Sequence, residues 1–367
     1  MFGYQGLDVR ISDVRGKVVK RGPLCRRVRS RSELILSLSE TNLEQIAMKT
    51  TNHQRNTLGT SIKRREFLSA AVIASGLTTA IPETRAETAN APKATPKVCV
   101  FTEHFQSLPV PEVCRVFKKM GVDGLDLTVR PGGHIKPEGV KVELPKAVKA
   151  AREQGLEIMM LTTGITSPDG TAEDILKTCQ KLGINKIKLG YFSPAKFGTL
   201  AKRLDETRRQ LDKIVKLAAR YRVQPCVHVH SGSTIPSNGF MLYDLIRNMA
   251  PDRIGAFLDS HHMTMTGGAG GWSQAIDLLS PWISLVALKN FKWLKAGRDA
   301  IGQQKWRTNY CRLEDGIAPI PEFVHTTHKA GYRGFYTLHT EYRQPVKECI
   351  KLTTEDFAFL QKVFARL

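Results

Sequence analysis

The stretch "PCVHVHSG" at residues 225–232 places His228 and His230 two apart at the end of an apolar run. Successive strand side chains point to opposite faces, so on a strand these two imidazoles share one. The spacing recurs in "LHTEY", where His339 and Glu341 stand two apart. Asp259 closes another apolar run, "IGAFLD", and His261 and His262 follow it. Lys289 ends "ISLVALK", and Asp126 lies inside "GLDLTV", which leads into "RPGGH" with Arg130 and His134. Singly, each has a plain structural role: a buried histidine a hydrogen-bonded core residue, Asp126 a cap, Lys289 a rim charge. Several apolar runs ending alike in His, Asp, Lys or Glu point to a shared polar site.

Imidazole and carboxylate together suit a divalent transition ion (Mn, Co, Zn or Fe) better than calcium. His228, Asp259 and Glu341 would supply one nitrogen and two oxygen ligands, leaving positions for water or two sugar oxygens. Such an ion polarises a carbonyl or stabilises an enediolate while a neighbouring base moves the proton. Glu341, Lys289 and His228 are the expected catalytic groups. Arg130 and His134 are expected to reach substrate hydroxyls or a carboxylate, because Gly132 and Gly133 let the backbone turn closely around a ligand. His230 is expected to line the substrate side.

The elements that must position these groups begin at residue 97. Short β-rich runs, "KVCVFT", "GLDLTV", "EIMMLTT", "KIKLGYF", "QPCVHVH", "IGAFLD", "ISLVALK" and "GFYTLHTEY", alternate with amphipathic helical stretches. Several of these stretches end on a capping glycine: "VCRVFKKMG", "AVKAAREQG", "DILKTCQKLG" and "FVHTTHKAG". "TTEDFAFLQKVFARL" reads as the last helix, with Thr353 or Thr354 as N-cap and Glu355 and Asp356 in its first turn. Eight strands and eight helices predict a (β/α)8 TIM barrel over 97–367, with its chemistry at the strand ends. An open doubly wound sheet would want a glycine-rich phosphate loop after its first strand, and "FTEHFQSLPV" offers none.

On these motifs the chain resembles the xylose isomerase-like TIM barrels, a family often described as sugar phosphate isomerases/epimerases. The resemblance rests on "GVDGLDLTV", "HVHSG", "LDSHH", "LKNF" and "GYRGFYTLHTEY". In that family the fifth strand supplies a glutamate, the sixth an Asp-x-x-His, the seventh a His-x-Lys and the eighth a glutamate. Asp259, His262, Lys289 and Glu341 match these positions, while His228 replaces the first glutamate and Ala287 the strand-seven histidine. The resemblance implies a metal on Asp259 and Glu341 with His228 as substitute ligand, and His262 near the substrate. It also implies isomerisation or epimerisation of a sugar or sugar derivative. A non-catalytic carbohydrate-binding barrel is the alternative that Ala287 favours. An apurinic-endonuclease-like nuclease would use the basic charge, but "GRDAIG" lacks the Asp-x-His of that branch.

The chain has 367 residues, 41% hydrophobic and 24% charged, as in soluble globular proteins. Of its net charge of +21, residues 1–86 hold 15 Lys/Arg against 7 Asp/Glu, which leaves +13 for the rest. There the basic residues spread along stretches such as "AKRLDETRRQLDKIVKLAARYR", a solvated helix face, so no nucleic-acid partner is expected. The 7 cysteines include no CxxC, and Cys99 and Cys226 read as small buried hydrophobes.

Residues 61–81, "SIKRREFLSAAVIASGLTTAI", follow Arg64 and Arg65 with an apolar run of about 15 residues, short of the ~20 of a membrane span. This pattern resembles a twin-arginine export signal, with cleavage expected after Ala86 and a periplasmic or otherwise exported product. The domain plan is therefore an upstream extension (1–47), a signal (48–86, opening at Met48), a linker (87–96) and the barrel (97–367). A small sugar substrate and the export machinery are the expected partners, with no stable membrane span. Replacing Arg64 and Arg65 by lysine is expected to leave the precursor uncleaved in the cytoplasm. Cell fractionation reads the outcome, and unchanged processing would count against the twin-arginine reading.

Overall fold

The computed structural model describes residues 95–367. The expected extension, the export signal and all but the end of the linker lie outside the described residues. Within them, β1 (Val98–Phe101), β2 (Gly124–Val129), β3 (Glu157–Thr163) and β4 (Lys186–Lys188) are followed by β5 (Gln224–His228), β6 (Gly255–Asp259) and β7 (Ile283–Leu288). A hairpin, β8 (Asn290–Arg298) and β9 (Gln304–Cys311), precedes β10 (Tyr336–Leu338). All but the hairpin close a parallel barrel in the order β1-β10-β7-β6-β5-β4-β3-β2. The expected TIM barrel forms.

The helices are α1 (Val110–Met120), α2 (Val140–Glu153), α3 (Gly170–Leu182), α4 (Leu200–Ala219) and α5 (Gly239–Ile246). They continue with α6 (Ser260–Gly267), α7 (Gly271–Leu279), α8 (Ile320–Lys329) and α9 (Val346–Phe364). Two helices follow β6 where the sequence reading counted one. Gly121, Gly155, Gly183 and Gly331 all take positive φ, as the expected capping positions require.

Period-two alternation sorts the strand residues into two sets. Val98, Leu127, Leu161, Ile187, Val227 and Leu258 belong to the large core shared with the helices. Met160, Cys226, Phe257, Leu285 and Ala287 form a separate buried cluster, which fills the barrel interior. Two residues further along the same strands, this inward set becomes polar: Thr162, His228, Asp259 and Lys289 are all buried. Asp126, Lys188 and His339 join them from β2, β4 and the end of β10. The dry layer thus forms the floor of a polar mouth. A Cβ on Gly190 would lie 2.5 Å from the Gly164 carbonyl oxygen, so glycine lets the chain leaving β4 pass the chain leaving β3.

The hairpin was not legible as strands. It is rooted by Asn290, whose Nδ2 donates to the Leu313 and Ala318 carbonyls at 2.7 and 2.9 Å. Its Oδ1 accepts from Ala318 N at 2.7 Å. The last helix also differs from expectation. It starts at Val346, behind Pro345, so Thr353 and Thr354 bond back to the carbonyls of Cys349 and Ile350 in mid-helix and cap nothing. Asp356 is therefore not a first-turn charge but a buried carboxyl that accepts from Leu313 N at 2.8 Å and from the Tyr342 hydroxyl.

Burial is the largest influence on Asp356 and raises its carboxyl to about 7, against the opposing pull of Tyr342, Leu313 N–H and Arg312. A folded-state value above the unfolded one contributes stability below about pH 4 that is lost as pH rises through 7. Asp356→Asn is expected to remove that loss. Denaturant melts should show the variant gaining on the parent between pH 5 and 8, by roughly 3 kcal/mol at most. A pH-independent difference would count against the buried protonated carboxyl.

Candidate functional site

At the mouth of the barrel, the last residues of β5 and β6 and the residue after β7 carry three side chains that meet. His228 Nε2 lies 3.3 Å from Asp259 Oδ2, and Lys289 Nζ lies 3.3 Å from the same oxygen. Lys289 Nζ also donates to Glu341 Oε1 at 3.0 Å. Local backbone fixes each partner. Asp259 caps α6 by accepting from His262 N at 2.9 Å, and the Ser260 hydroxyl accepts from Lys289 N and donates to Lys289 O. Glu341 follows a tight turn in which its N–H donates to His339 O at 2.9 Å. Because a carboxylate only accepts, His228 Nε2 carries the proton and its Nδ1 accepts from the Tyr191 hydroxyl at 3.2 Å.

Charge in this cluster follows from burial and pairing. Burial takes the His228 imidazole down to about 3, which outweighs the Asp259 carboxylate that would raise it. Burial alone would also push Lys289 down and Glu341 up. The Asp259 and Glu341 carboxylates outweigh it at Lys289, which stays protonated. The Lys289 ammonium in turn holds Glu341 at about 2. The cluster is a neutral imidazole, one ammonium and two carboxylates.

His228 and Glu341 of this cluster border a cavity of about 330 Å³, lined also by Glu103, His104, Arg130, Lys188 and Tyr191. His230, His339 and Arg343 line it too, so both histidine pairs converge as expected, although β5 stops at His228 and β10 before His339. Two larger cavities, of about 370 and 440 Å³, lie at the far end of the barrel beside Lys186 and Arg253, and between α8 and α9. Neither gathers a comparable set of reactive groups. The mouth is the candidate site.

Three expected residues sit otherwise. Arg130 reaches the cavity, but its guanidinium is paired with Glu103. His134 does not line it: its Nδ1 and Nε2 lie 3.2 and 3.3 Å from Thr128 Oγ1 and the Phe105 carbonyl, tying the "RPGGH" turn to the barrel. Gly132 supplies the turn with φ +72°, so the glycines serve this closure and not a ligand approach by His134. His262 stands behind His230, with ring centroids 4.0 Å apart and Nδ1 2.8 Å from Ser231 Oγ. Asp126 is likewise internal, accepting from Thr162 Oγ1 at 2.7 Å and lying 3.2 Å from His339 Nε2.

The expected divalent ion does not fit this arrangement. Lys289 Nζ already lies between the two carboxylates, in hydrogen-bonding reach of both. A divalent ion about 4 Å from that ammonium would meet a repulsion of about 8 kcal/mol at an effective dielectric near 20. Among the described residues, no three His, Cys, Asp or Glu side chains are grouped to hold a metal. Ala287, at the position where a histidine ligand was sought, is packed into the dry floor. Of the three residues expected as metal ligands, Asp259 and Glu341 hold Lys289 in this structure, and His228 bonds Asp259.

Sequence reasoning missed Lys188, Tyr191, Glu103 and His104. The signal for Lys188 was present, since a lysine inside a buried parallel strand, two residues after Lys186, must share its inward face. Glu103 and His104 occupy a single helical turn, Thr102–Phe105, that carries no pattern.

Comparison with known proteins agrees with this architecture. The family model of the xylose isomerase-like TIM barrel matches residues 114–363. Among solved structures, the probable 3-DHS dehydratase AsbF from Bacillus anthracis is 17% identical with a TM-score of 0.56, over 71% of this chain and 98% of that one. D-psicose 3-epimerase with D-tagatose from Clostridium cellulolyticum H10 is 13% identical with a TM-score of 0.54, over 73% and 99%. A xylose isomerase-like protein from Mycobacterium smegmatis, in complex with magnesium, is 13% identical with a TM-score of 0.56, over 74% and 97%. At such identities the likeness concerns the fold. No curated protein matches the chain. With the family model spanning most of its length and the barrel closed in the same way, this chain belongs to the xylose isomerase-like TIM barrel family.

Proposed function

We propose that the protein is an isomerase or epimerase acting on a sugar or sugar derivative. The observation that carries the reading is the cavity at the barrel mouth, where an ionised carboxylate, neutral imidazoles and guanidinium groups converge. Moving a stereocentre or a carbonyl along a sugar requires a group that takes and returns a proton, and fixed positive charge near the oxygen. Glu341 faces the cavity and is the proton-transfer group, held by Lys289. Arg130, Arg343 and His230 meet hydroxyl groups, and burial keeps His230 below its ordinary value and so neutral. His228 orients the site through Asp259 and Tyr191, while His262 and His134 support it from behind. Family membership and the neighbouring D-psicose 3-epimerase support the same reaction class. No step runs through a divalent ion, because the donor set is closed by Lys289.

Export by the twin-arginine route is part of this proposal, supported by Arg64, Arg65 and the short apolar run. Among the described residues no helix is long and apolar enough to cross a membrane. An exported enzyme would meet sugars without phosphate.

A screen of unphosphorylated pentoses, hexoses and their keto derivatives should find one interconverted pair. Glu341→Gln is then expected to lower kcat by about 10²- to 10⁴-fold. Binding of a sugar without turnover would favour the carbohydrate-binding alternative.

The lysine-closed site gives a second expectation. Magnesium, manganese, cobalt or zinc should not shift the melting temperature of the parent protein. Lys289→Met leaves the buried Asp259 carboxylate without its cation, costing about 3–5 kcal/mol at neutral pH, and should make the melt sensitive to those ions. Stoichiometric metal in parent protein purified without chelators would overturn this account.

A further inference from the structure

The site holds two buried lysines in opposite circumstances. Lys289 is clamped by two carboxylates. Lys188, 2% exposed at the end of β4, has no such partner: its Nζ lies 3.6 Å from the centroid of the Tyr191 ring. Among the described residues, no carboxylate comes within 4 Å of it. Its side chain lines the same cavity as Glu341 and Arg130. An amine so placed is aimed at whatever the cavity binds.

We propose that Lys188 is a covalent catalytic residue that captures the open-chain carbonyl of the substrate as an imine. The class of ligand is a small polyhydroxylated aldehyde or ketone. In the capture step the Nζ lone pair attacks the carbonyl carbon, a C–N bond forms, and the C=O π pair moves to oxygen. The carbinolamine then loses that oxygen: the nitrogen pair forms C=N, the C–O bond breaks, and both amine protons depart with the oxygen as one water molecule. Once protonated, the imine draws electrons from the adjacent C–H, so its proton can leave to Glu341 or His230. This is the electron-withdrawing task that the lysine-closed cluster cannot give to a divalent ion. Return of the proton and addition of water release the product and the free amine.

The surroundings keep Lys188 nucleophilic. Burial is the largest influence and brings its amine down to about 7, and the Arg130 guanidinium pushes the same way. Asp126 and Glu103 oppose this, and Lys289 from the β7 side adds to it. Two lysines a few side chains apart thus divide the work, one fixed as a cation and one available as a base or nucleophile. The sign follows directly: imine capture should fall away below pH 7, where Lys188 is protonated, and hold above it.

The proposal rests on the carbonyl-substrate reading above, and the test separates the two. The probe is dihydroxyacetone with sodium cyanoborohydride on the intact folded protein, with adducts located by peptide mass mapping. At pH 7 an ordinary lysine is almost wholly protonated, so Lys188 should be modified at least about tenfold more than any surface lysine. The yield should have its midpoint near pH 7. Lys188→Arg and Lys188→Met should lose the adduct, while Lys186→Arg keeps it. Should these Lys188 variants fail to fold, the position and pH midpoint of the parent's adduct decide alone. Modification of Lys188 no faster than of surface lysines overturns the proposal, even if the sugar screen finds an isomerase. Sugar turnover that survives Lys188→Met overturns it too. Trapping at Lys188 without any sugar interconversion sustains it and removes the isomerase reading instead.

Discussion

The Lys289 ammonium between Asp259 and Glu341 is the contact on which the mouth of the barrel depends. Two carboxylates, one fully buried and one partly so, would repel each other and resist burial without a cation beside them. The ammonium removes both objections at once, and its own desolvation is offset by the same two contacts. Everything around it is arranged to keep it there. Ser260 bonds both backbone groups of Lys289, Asp259 is fixed by capping α6, and Asn290 roots the hairpin that covers the next residues. The outcome resembles a metal centre in which the cation is part of the chain.

That arrangement is consistent with two departures from the family pattern, His228 and Ala287. A histidine at position 287 would project toward a cation from β7, but the cation here is reached from Lys289 two residues later. Position 287 can then be an alanine that fills the dry floor with Phe257 and Leu285. A glutamate at position 228 would add a third carboxylate beside a single ammonium. The neutral imidazole found there instead donates to Asp259 and adds no charge. His228 and Ala287 are thus consistent with one another and with Lys289, not independent losses of ligands.

Much of this architecture was legible in the sequence because it obeys short periods. The eight barrel strands, the capping glycines and the convergence of His228, His230, Asp259, Lys289, His339 and Glu341 follow from alternation and from the rule that barrel chemistry sits at strand ends. What was not legible depended on where side chains turn after a strand stops. His134 and Arg130 share one loop, yet one bonds to Thr128 and the other reaches the cavity, and spacing cannot distinguish them. The start of α9 was misplaced because "TTED" looks like a cap, whereas Thr353 and Asp356 serve tertiary bonds to Thr340 and Leu313. The hairpin strands carry lysines, arginines and tryptophans without clean alternation, since both of their faces are largely exposed.

The charge state of a lysine was the least legible property. Lys188 ends β4, Lys289 directly follows β7, and both are buried. Their difference lies in distance to carboxylates supplied by other strands: 3.0 and 3.3 Å for Lys289, and beyond salt-bridge reach for Lys188, which has an aromatic ring instead. A barrel brings such contrasts about cheaply, because neighbouring strands place different residues at the same height around one mouth. The same geometry that closes one lysine into a structural cation leaves the other facing the cavity as an amine. Pairing, not burial, decides which of two buried lysines stays charged.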